Sequence, residues 1–385
     1  MDLHTKRDLV EFFRERGLRP NRGLGQNFLI DQNALRFIAR TADLGPGDLV
    51  LDIGAGTGLL TRHLCESGAA VCAVEIDARL AEVCREYVGE RDNLTLFNRD
   101  ILESKHELDP EIMAWLRARL AEAKKGTEAK KGTGTFCAEH PKGLQAKCTC
   151  PSFRLKVVCN LPYVVSTPVI ICLLESGLPI SLMLLMVQKE VADRLAAKPG
   201  TEAYGGVSVV TQVHAEVKLV RTLPPDVFWP QPTVQSAIVK LTPTDATLQR
   251  IADYATFREL VAAAFAHRRK TLANSLAAHF RGGIVPRQLP QPRLSSGAVA
   301  GGSRAAPTPA EDSLRGRGES RLARPALGAR EHGKCAESTP SDGYSADGVK
   351  QLLASCGIDP ARRGEALSID EFIALGNFLV SKLLY

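Results

Sequence analysis

Two stretches of this chain combine residue types that can do chemistry. The first is Gly54-Ala55-Gly56-Thr57-Gly58, which closes a short apolar run beginning at Leu49 and opens a helical pattern at Leu59. Glycines let the backbone turn tightly and let a ligand approach its amides, so Gly54 and Gly56 are candidate cofactor contacts. An acidic residue, Glu75, follows about 20 residues later, where a carboxylate can accept hydrogen bonds from ribose hydroxyls. A dinucleotide loop needs a small residue at its third conserved position, to pack helix on strand. Leu59 stands there instead, and the glycine comes one residue early at Gly58. That spacing disfavours a nicotinamide cofactor. It suits S-adenosylmethionine, which has no pyrophosphate to cradle. Asp100, at the end of a third apolar run, is placed to accept an adenine amine or, equally, to cap a loop.

The second stretch is Asn160-Leu161-Pro162-Tyr163, after the apolar run Phe153 to Cys159. It fits a strand that simply ends in a proline turn. It also fits the methylation of an exocyclic amine. Such an amine is a poor nucleophile because its lone pair is delocalised into the ring. The Asn160 side-chain oxygen and a backbone carbonyl can each accept one amine hydrogen and draw electron density onto nitrogen. Pro162 fixes the carbonyl direction, and Tyr163 offers a face on which an extruded base stacks. No strong base is needed, since a newly methylated amine sheds its proton readily. Catalysis would come from alignment and electrostatics.

These residues need a frame. The patterns Leu49–Gly54, Ala69–Asp77, Leu94–Leu102, Phe153–Tyr163 and Ile180–Gln188 read as strands. Helical patterns at Leu59–Gly68, Ala78–Val88, Pro168–Gly177 and Lys189–Ala197 alternate with them. Strands alternating with helices predict a parallel sheet covered on both faces. Val234 to Pro243 alternates and is expected to be an antiparallel edge strand. Asp8–Arg16 and Asn33–Leu44 add helices before the sheet, and Arg22 to Asp31 reads as a glycine-punctuated loop. Val207 to Leu223 starts as helix or strand and ends as strand. A basic amphipathic helix is expected from Thr256 to Phe280, and two further helices close the chain. Ser368 and Glu371 have capping-box spacing ahead of the last one.

Composition narrows the class. The chain has 385 residues, room for two domains, and no apolar run of about 18 residues, so no membrane span is expected. Its first twenty residues mix acids and bases, which argues against a secretory signal, and Asp2, Asp8 and Glu11 argue against a transit peptide. Cytoplasm is the expected location. Ten cysteines in this length do not form a disulfide scaffold, and Cys65, Cys72, Cys84, Cys159 and Cys172 read as small buried thiols. The net charge of +6 permits a polyanionic partner without requiring one. Bases cluster at Arg14, Arg16, Arg19 and Arg22 and again at Arg268, Arg269 and Lys270. Either cluster could be a solvated surface or a nucleic-acid contact.

Taken together, several motifs resemble the ribosomal RNA adenine N6-dimethyltransferase family, its bacterial small-subunit branch in particular. They are GQNFL (Gly25–Leu29), DIGAGTG (Asp52–Gly58), VEID (Val74–Asp77), Arg99-Asp100 and NLPY (Asn160–Tyr163). QKEVADRL (Gln188–Leu195), AYGGVSV (Ala203–Val209), FWPQPTVQSAIVKL (Phe228–Leu241), AFAHRRKTLANSL (Ala264–Leu276) and GIDPARRGEALSIDEF (Gly357–Phe372) extend the resemblance. It implies a Rossmann-like methyltransferase sheet, residues 1–245, and a small all-helical rRNA-binding domain, residues 246–385. It implies S-adenosylmethionine contacts at Asn27, Leu29, Gly54, Glu75, Asp100 and Asn160, and RNA phosphate contacts at Arg268, Arg269 and Lys270. The implied target is two adjacent adenines, each methylated twice, in a hairpin near the 3′ end of 16S rRNA. The implied setting is a small-subunit assembly intermediate, acted on by a monomer, with a link to kasugamycin sensitivity.

The chain departs from the family in two inserts. Residues 103–152 carry Cys137, His140, Cys148 and Cys150, which could form a small structural zinc site or remain reduced loop thiols. Residues 283–345 are rich in Gly, Ala, Arg, Ser and Pro and are expected to be disordered. Two other readings share much of this evidence: a large-subunit rRNA adenine methyltransferase of the macrolide-resistance type, and a non-catalytic assembly or transcription factor. The tail motif and HRRKTLANSL favour the small-subunit enzyme, and retention of Asn160 and Tyr163 favours catalysis.

Overall fold

A computed structural model describes residues 5–132, 154–267, 269–280 and 345–383. Its helices are α1 (Lys6–Glu15), α2 (Gln32–Thr41), α3 (Leu59–Glu66), α4 (Ala78–Val88), α5 (Pro110–Gly132) and α6 (Ser166–Glu175). They continue as α7 (Lys189–Leu195), α8 (Gly206–His214), α9 (Tyr254–Phe265), α10 (Leu272–His279), α11 (Ala346–Ser355) and α12 (Ile369–Leu383). The strands are β1 (Phe28–Leu29), β2 (Asp48–Ile53), β3 (Ala70–Val74), β4 (Leu94–Phe97), β5 (Leu102–Ser104) and β6 (Glu107–Leu108). They end with β7 (Arg154–Asn160), β8 (Ile180–Gln188), β9 (Ala215–Leu223), β10 (Phe228–Trp229) and β11 (Ser236–Pro243).

Seven strands form one sheet in the order β4-β3-β2-β7-β8-β11-β9. The first five are parallel, and β11 and β9 are antiparallel to their neighbours. Side chains alternate faces along each strand. Val50, Val71, Val158 and Leu184 therefore enter one core, while Leu49, Leu51, Cys72, Val157 and Leu185 enter the other. Both faces are apolar because helices cover both, as a parallel sheet requires. Cys65, Cys72, Cys84, Cys159 and Cys172 are free and buried, as expected. A third core joins α8 to α9 through α12, with Val209, Val213, Phe257, Leu260, Leu353 and Phe372 at its centre. Among the described residues no helix is long and apolar enough to cross a membrane.

The chain leaves β2 for β3 on one side and returns to β7 on the other. This is the topological switch point, where ligands bind in open α/β sheets. The parallel register of Asp48 with Arg154 and Leu51 with Val157, carried on to the strand ends, sets Gly54 beside Asn160.

Several expectations need correction. The strand expected over Leu94–Leu102 stops at Phe97, because Asn98 turns to donate its side-chain amide to the carbonyls of Glu75 at 2.8 Å and Ile76 at 3.2 Å. β5 and β6 then form a separate small hairpin. Strand β11 is not an edge: it lies between β8 and β9, its residues mostly buried, and the half-exposed β9 is the edge. The helix expected from Thr256 to Phe280 is two helices. The chain breaks after Phe265, and Thr271 starts α10 by accepting a hydrogen bond from the Asn274 amide. The loop expected over Arg22–Asp31 contains β1, which pairs with β10 through Phe28–Trp229 and Leu29–Phe228. The backbone of α5 reaches Gly132, well into the first insert. The Ser368–Glu371 capping box is formed, with amide–side-chain bonds of 2.7 and 3.2 Å. The long insert 283–345 falls almost wholly outside the described residues.

One polar group inside the fold holds the entry to β2. Lys156 on β7 is 7% exposed, and its ammonium donates to the carbonyls of Ala42 and Asp43 and to the Asp48 carboxylate at 2.9 Å. Asp43 has a left-handed backbone (φ 48°), which this clip holds in place. Removing one partner strands the others in a dry setting. Lys156→Met is expected to cost about 3 kcal/mol and to lower the melting temperature by roughly 5–10 °C. A melting curve matching the unaltered protein's would show that the clip contributes nothing.

Candidate active site

Gly54 and Ala55 leave β2 with their amides donating to the Val74 carbonyl at 2.8 and 3.1 Å, which pins the turn to β3. Gly54, Gly56 and Gly58 all have left-handed backbones, at φ 77°, 59° and 84°. The decisive position is Gly54. A Cβ there would lie 3.0 Å from the Pro162 ring and 3.7 Å from the Asn160 carbonyl oxygen. The glycine turn and the Asn-Leu-Pro-Tyr turn are thus in contact across the switch point, and only a residue without a side chain fits between them. A Cβ on Gly58 would meet Cys84 and Val88 at 3.0 and 2.9 Å, so this glycine lets α3 pack down on α4.

A cleft of about 140 Å³ opens between the two turns. Asn27, Gly54, Gly56, Glu75, Asp100, Asn160, Leu161, Pro162 and Tyr163 all line it, so the structure brings together most of the residues picked from the sequence. Leu29 is buried and lines a smaller adjoining pocket with Asp52. Arg269 and Lys270 stand exposed in the turn between α9 and α10, away from the cleft lining. Arg268 lies outside the described residues, as do Cys137, His140, Cys148 and Cys150. Among the described residues no group of His, Cys, Asp or Glu could hold a metal ion.

The polar groups of the cleft are held before any ligand arrives. Asn160 donates its side-chain amide nitrogen to the Asn27 carbonyl at 2.9 Å, which turns its oxygen into the acceptor end available to a substrate. Glu75 is 5% exposed; its two oxygens accept the amides of Gly56 at 2.7 Å and Asp77 at 2.9 Å. Burial raises its pKa, and these amide bonds work against the rise. A carboxylate has lone pairs for further donors, so the ribose role is compatible with these bonds. Asp100 stands in the turn after β4, not on the strand, and its carboxylate accepts the Leu102 amide at 2.9 Å. Both the loop-cap role and a place in the cleft are therefore realised. The positive φ at Gly54, the absence of a side chain there and the acidic wall fit a cationic nucleoside ligand of the S-adenosylmethionine type.

Sequence reading missed three contributors. Ile76 is 46% exposed and Val164 68% exposed, and both present apolar surface to the cleft. Ile76 stands inside the VEID motif and Val164 directly follows the Asn-Leu-Pro-Tyr motif, and that placement is the available signal. The third is Asp52, which is 1% exposed beneath the glycine turn and accepts a hydrogen bond from the Thr61 hydroxyl at 2.7 Å. Burial is the main cause that lifts its pKa to about 7.

The switch-point cleft, with a glycine turn on one strand, an acid on the next and an Asn-Leu-Pro-Tyr turn facing both, places the chain among Rossmann-like S-adenosylmethionine-dependent methyltransferases. Within that class, the model for the family "Ribosomal RNA adenine dimethylase" matches residues 17–306, and the chain belongs to that family. It is 40% identical over 268 residues to a "Ribosomal RNA small subunit methyltransferase A" of Halothermothrix orenii, covering 69% of this chain and 77% of that one. It is 32% identical over 375 residues to the protein of the same name from Bacillus cytotoxicus, covering 97% and 95%. Among solved structures, a dimethyladenosine transferase from Plasmodium falciparum shares the fold, with a TM-score of 0.53, 20% identity and coverage of 90% and 94%.

Asp52 makes a pH prediction. Its folded pKa of about 7 lies above the unfolded value, so the folded state binds the extra proton. Its contribution to stability is full below about pH 4, declines as pH rises and is gone above about pH 7. The loss is on the order of 4 kcal/mol. Asp52→Asn is expected to flatten the fall in melting temperature between pH 4 and 8. Parallel curves for the two proteins would show that Asp52 ionises normally.

Proposed function

We propose that this chain transfers methyl groups from S-adenosylmethionine to the N6 amines of two adjacent adenines in a hairpin near the 3′ end of 16S rRNA, twice each. The proposal takes the substrate to be a small-subunit assembly intermediate in the cytoplasm, engaged by a monomer. The observation that carries this reading is the contact between Gly54 and Pro162, which joins a cofactor turn to a base-binding turn in one cleft. Near full-length similarity to proteins named for the small subunit supports the choice of RNA.

When bound, S-adenosylmethionine supplies a methyl group on a sulfonium, an electrophile that needs no activation by acid. Asn27, Gly54, Gly56, Glu75 and Asp100 would hold it, with Leu29 packing behind the turn. The chain's own contribution lies in the nucleophile. The Asn160 side-chain oxygen and the backbone carbonyl of the Asn-Leu-Pro-Tyr turn accept the two amine hydrogens. Pro162 keeps that turn rigid, and Leu161, 1% exposed, seats it on the core. The Tyr163 ring supports the extruded base. Preset acceptors cost no reorganisation at the moment of transfer, which is how such sites accelerate a reaction without a general base. Arg269 and Lys270 would hold the RNA by its phosphates, as contacts that position without reading sequence.

The direct test is mass spectrometry of rRNA from cells with and without the protein. Dimethyladenine in small-subunit rRNA should depend on it. Dimethyladenine lost from large-subunit rRNA instead, or from neither, would refute the reading. With purified protein, Asn160→Ala is expected to lower kcat by about 10²-fold or more, measured as labelled methyl transfer. An unchanged kcat would remove Asn160 from the chemistry. Replacing Arg269 and Lys270 together by Ala is expected to reduce the slope of log affinity against log salt by about 1–2. An unaltered slope in a filter-binding titration of small-subunit rRNA would show that neither touches phosphate.

A further inference from the structure

We propose that Ser236 is a positioning residue that fixes the Tyr163 ring as the stacking face for the target base. This rests on the stacking role proposed for Tyr163. Ser236 is the first residue of β11, fully buried, and its hydroxyl lies 2.5 Å from the Tyr163 phenol oxygen. The two residues are 73 positions apart in the chain, so only the fold brings them together.

The geometry of the pair carries the argument. Ser236 is bolted to the sheet from both sides, in register with Gln188 of β8 and Leu223 of β9. The Lys189 amide, bonded to the Gln235 carbonyl at 2.9 Å, fixes the start of the strand. At the other end of the tyrosine, the backbone is held by the Val165 amide on the Pro162 carbonyl at 3.2 Å and the Ser166 hydroxyl on the Tyr163 carbonyl at 3.1 Å. A tyrosine side chain swings about two torsions, and its hydroxyl sits at the far end of the lever. Anchoring both ends stops the swing about the first torsion and so fixes where the ring stands beside the cleft; turning about the ring's own long axis, on which the hydroxyl lies, is left to the packing around it. Tyr163 lines the cleft and Ser236 does not, so any effect of Ser236 on a bound base must pass through the ring. A stacking face that is already ordered spares the entropy of ordering it as the base enters the cleft, a step that follows binding of the particle and is therefore read in kcat. Burial raises the phenol's pKa, which keeps its proton available for the bond at neutral pH.

The bland reading is that a buried hydroxyl merely needs a partner. A mutant cycle separates the two. With unmodified small-subunit particles as substrate, Ser236→Ala and Tyr163→Phe should each lower kcat about tenfold. The KM for particles and the affinity for S-adenosylmethionine should move less than about twofold, as for an interaction that matters mainly in the transition state. The double variant should be no slower than the slower single, because both remove one bond. Multiplying losses, or a normal kcat in Ser236→Ala, would overturn the proposal. A second readout needs no methyl transfer. The three-bond couplings across the Cα–Cβ bond of Tyr163, whose resonances are identified by their loss in Tyr163→Phe, should report a single rotamer that Ser236→Ala replaces by an average. Unchanged couplings would also overturn the proposal. A wild-type protein that methylates no small-subunit RNA yet shows this change would instead count against the proposed function alone.

Discussion

The contact between Gly54 and Pro162 constrains everything around it. Two loops from neighbouring strands must come within a methyl group's width of each other, yet leave a cleft beside the contact. Glycine at the one position and a rigid ring at the other meet that demand. The parallel register of β2 and β7 brings the two strand ends level. That register in turn depends on the alternation that sends odd- and even-numbered residues of β2 and β7 into separate cores. A slip of one residue would exchange the two faces and misplace both turns.

The N-terminal segment closes the remaining side. Asn27 accepts from Asn160, and Gln26 reaches Asp77 at 3.4 Å beyond the end of β3. A Cβ on Gly56 would lie 3.1 Å from the Phe28 ring, so the ring packs directly against the glycine turn. Phe28 also stacks on Trp229 at 6.2 Å, and Phe13 of α1 meets both rings. The β1–β10 pair thus ties three regions into one apolar knot: the first helix, the glycine turn, and the segment that leads to Ser236. The residues expected to hold cofactor and those expected to hold base are therefore braced by the same side chains.

Much of this could be read from the sequence. Strands β2, β3 and β8 are nearly continuous apolar runs, and α4 repeats Leu80, Cys84, Tyr87 and Val88 at helical spacing. Covered parallel strands write such runs because both faces are buried. What stayed illegible depends on tertiary contacts. Strand β11 alternates like an edge strand, but β9 pairs outside it, and nothing local to β11 encodes that neighbour. The break between α9 and α10 lies in the turn before Thr271, whose cap is visible only once the helix is known to begin there. Asp52 reads as one more residue of a glycine motif, and its displaced pKa comes from burial beneath the glycine turn. Ser236 is one small polar residue in an alternating strand, and its partner is a full lobe of chain away.

The helical end of the molecule is joined to the sheet by a polar junction rather than by apolar packing alone. Tyr254 of α9 donates to Glu175 of α6 at 2.5 Å, which leaves its oxygen to accept from His214 of α8 at 2.7 Å. That order of donors fixes the proton of the imidazole on Nε2. Burial holds the His214 pKa down at about 4, so the ring stays neutral and can play that part near neutral pH. Arg258, one turn beyond Tyr254, pairs with Glu175 at 2.7 Å and balances its charge. Apolar contacts would tolerate sliding of α9 against α8. A chain of directed bonds does not, because each member displaced leaves a buried polar group without its partner. The junction thus sets where α9 ends, and with it where Arg269 and Lys270 stand relative to the cleft. Under the proposed function, with Arg269 and Lys270 on the RNA and one base in the cleft, that distance would have to stay fixed, and the buried network would supply the rigidity.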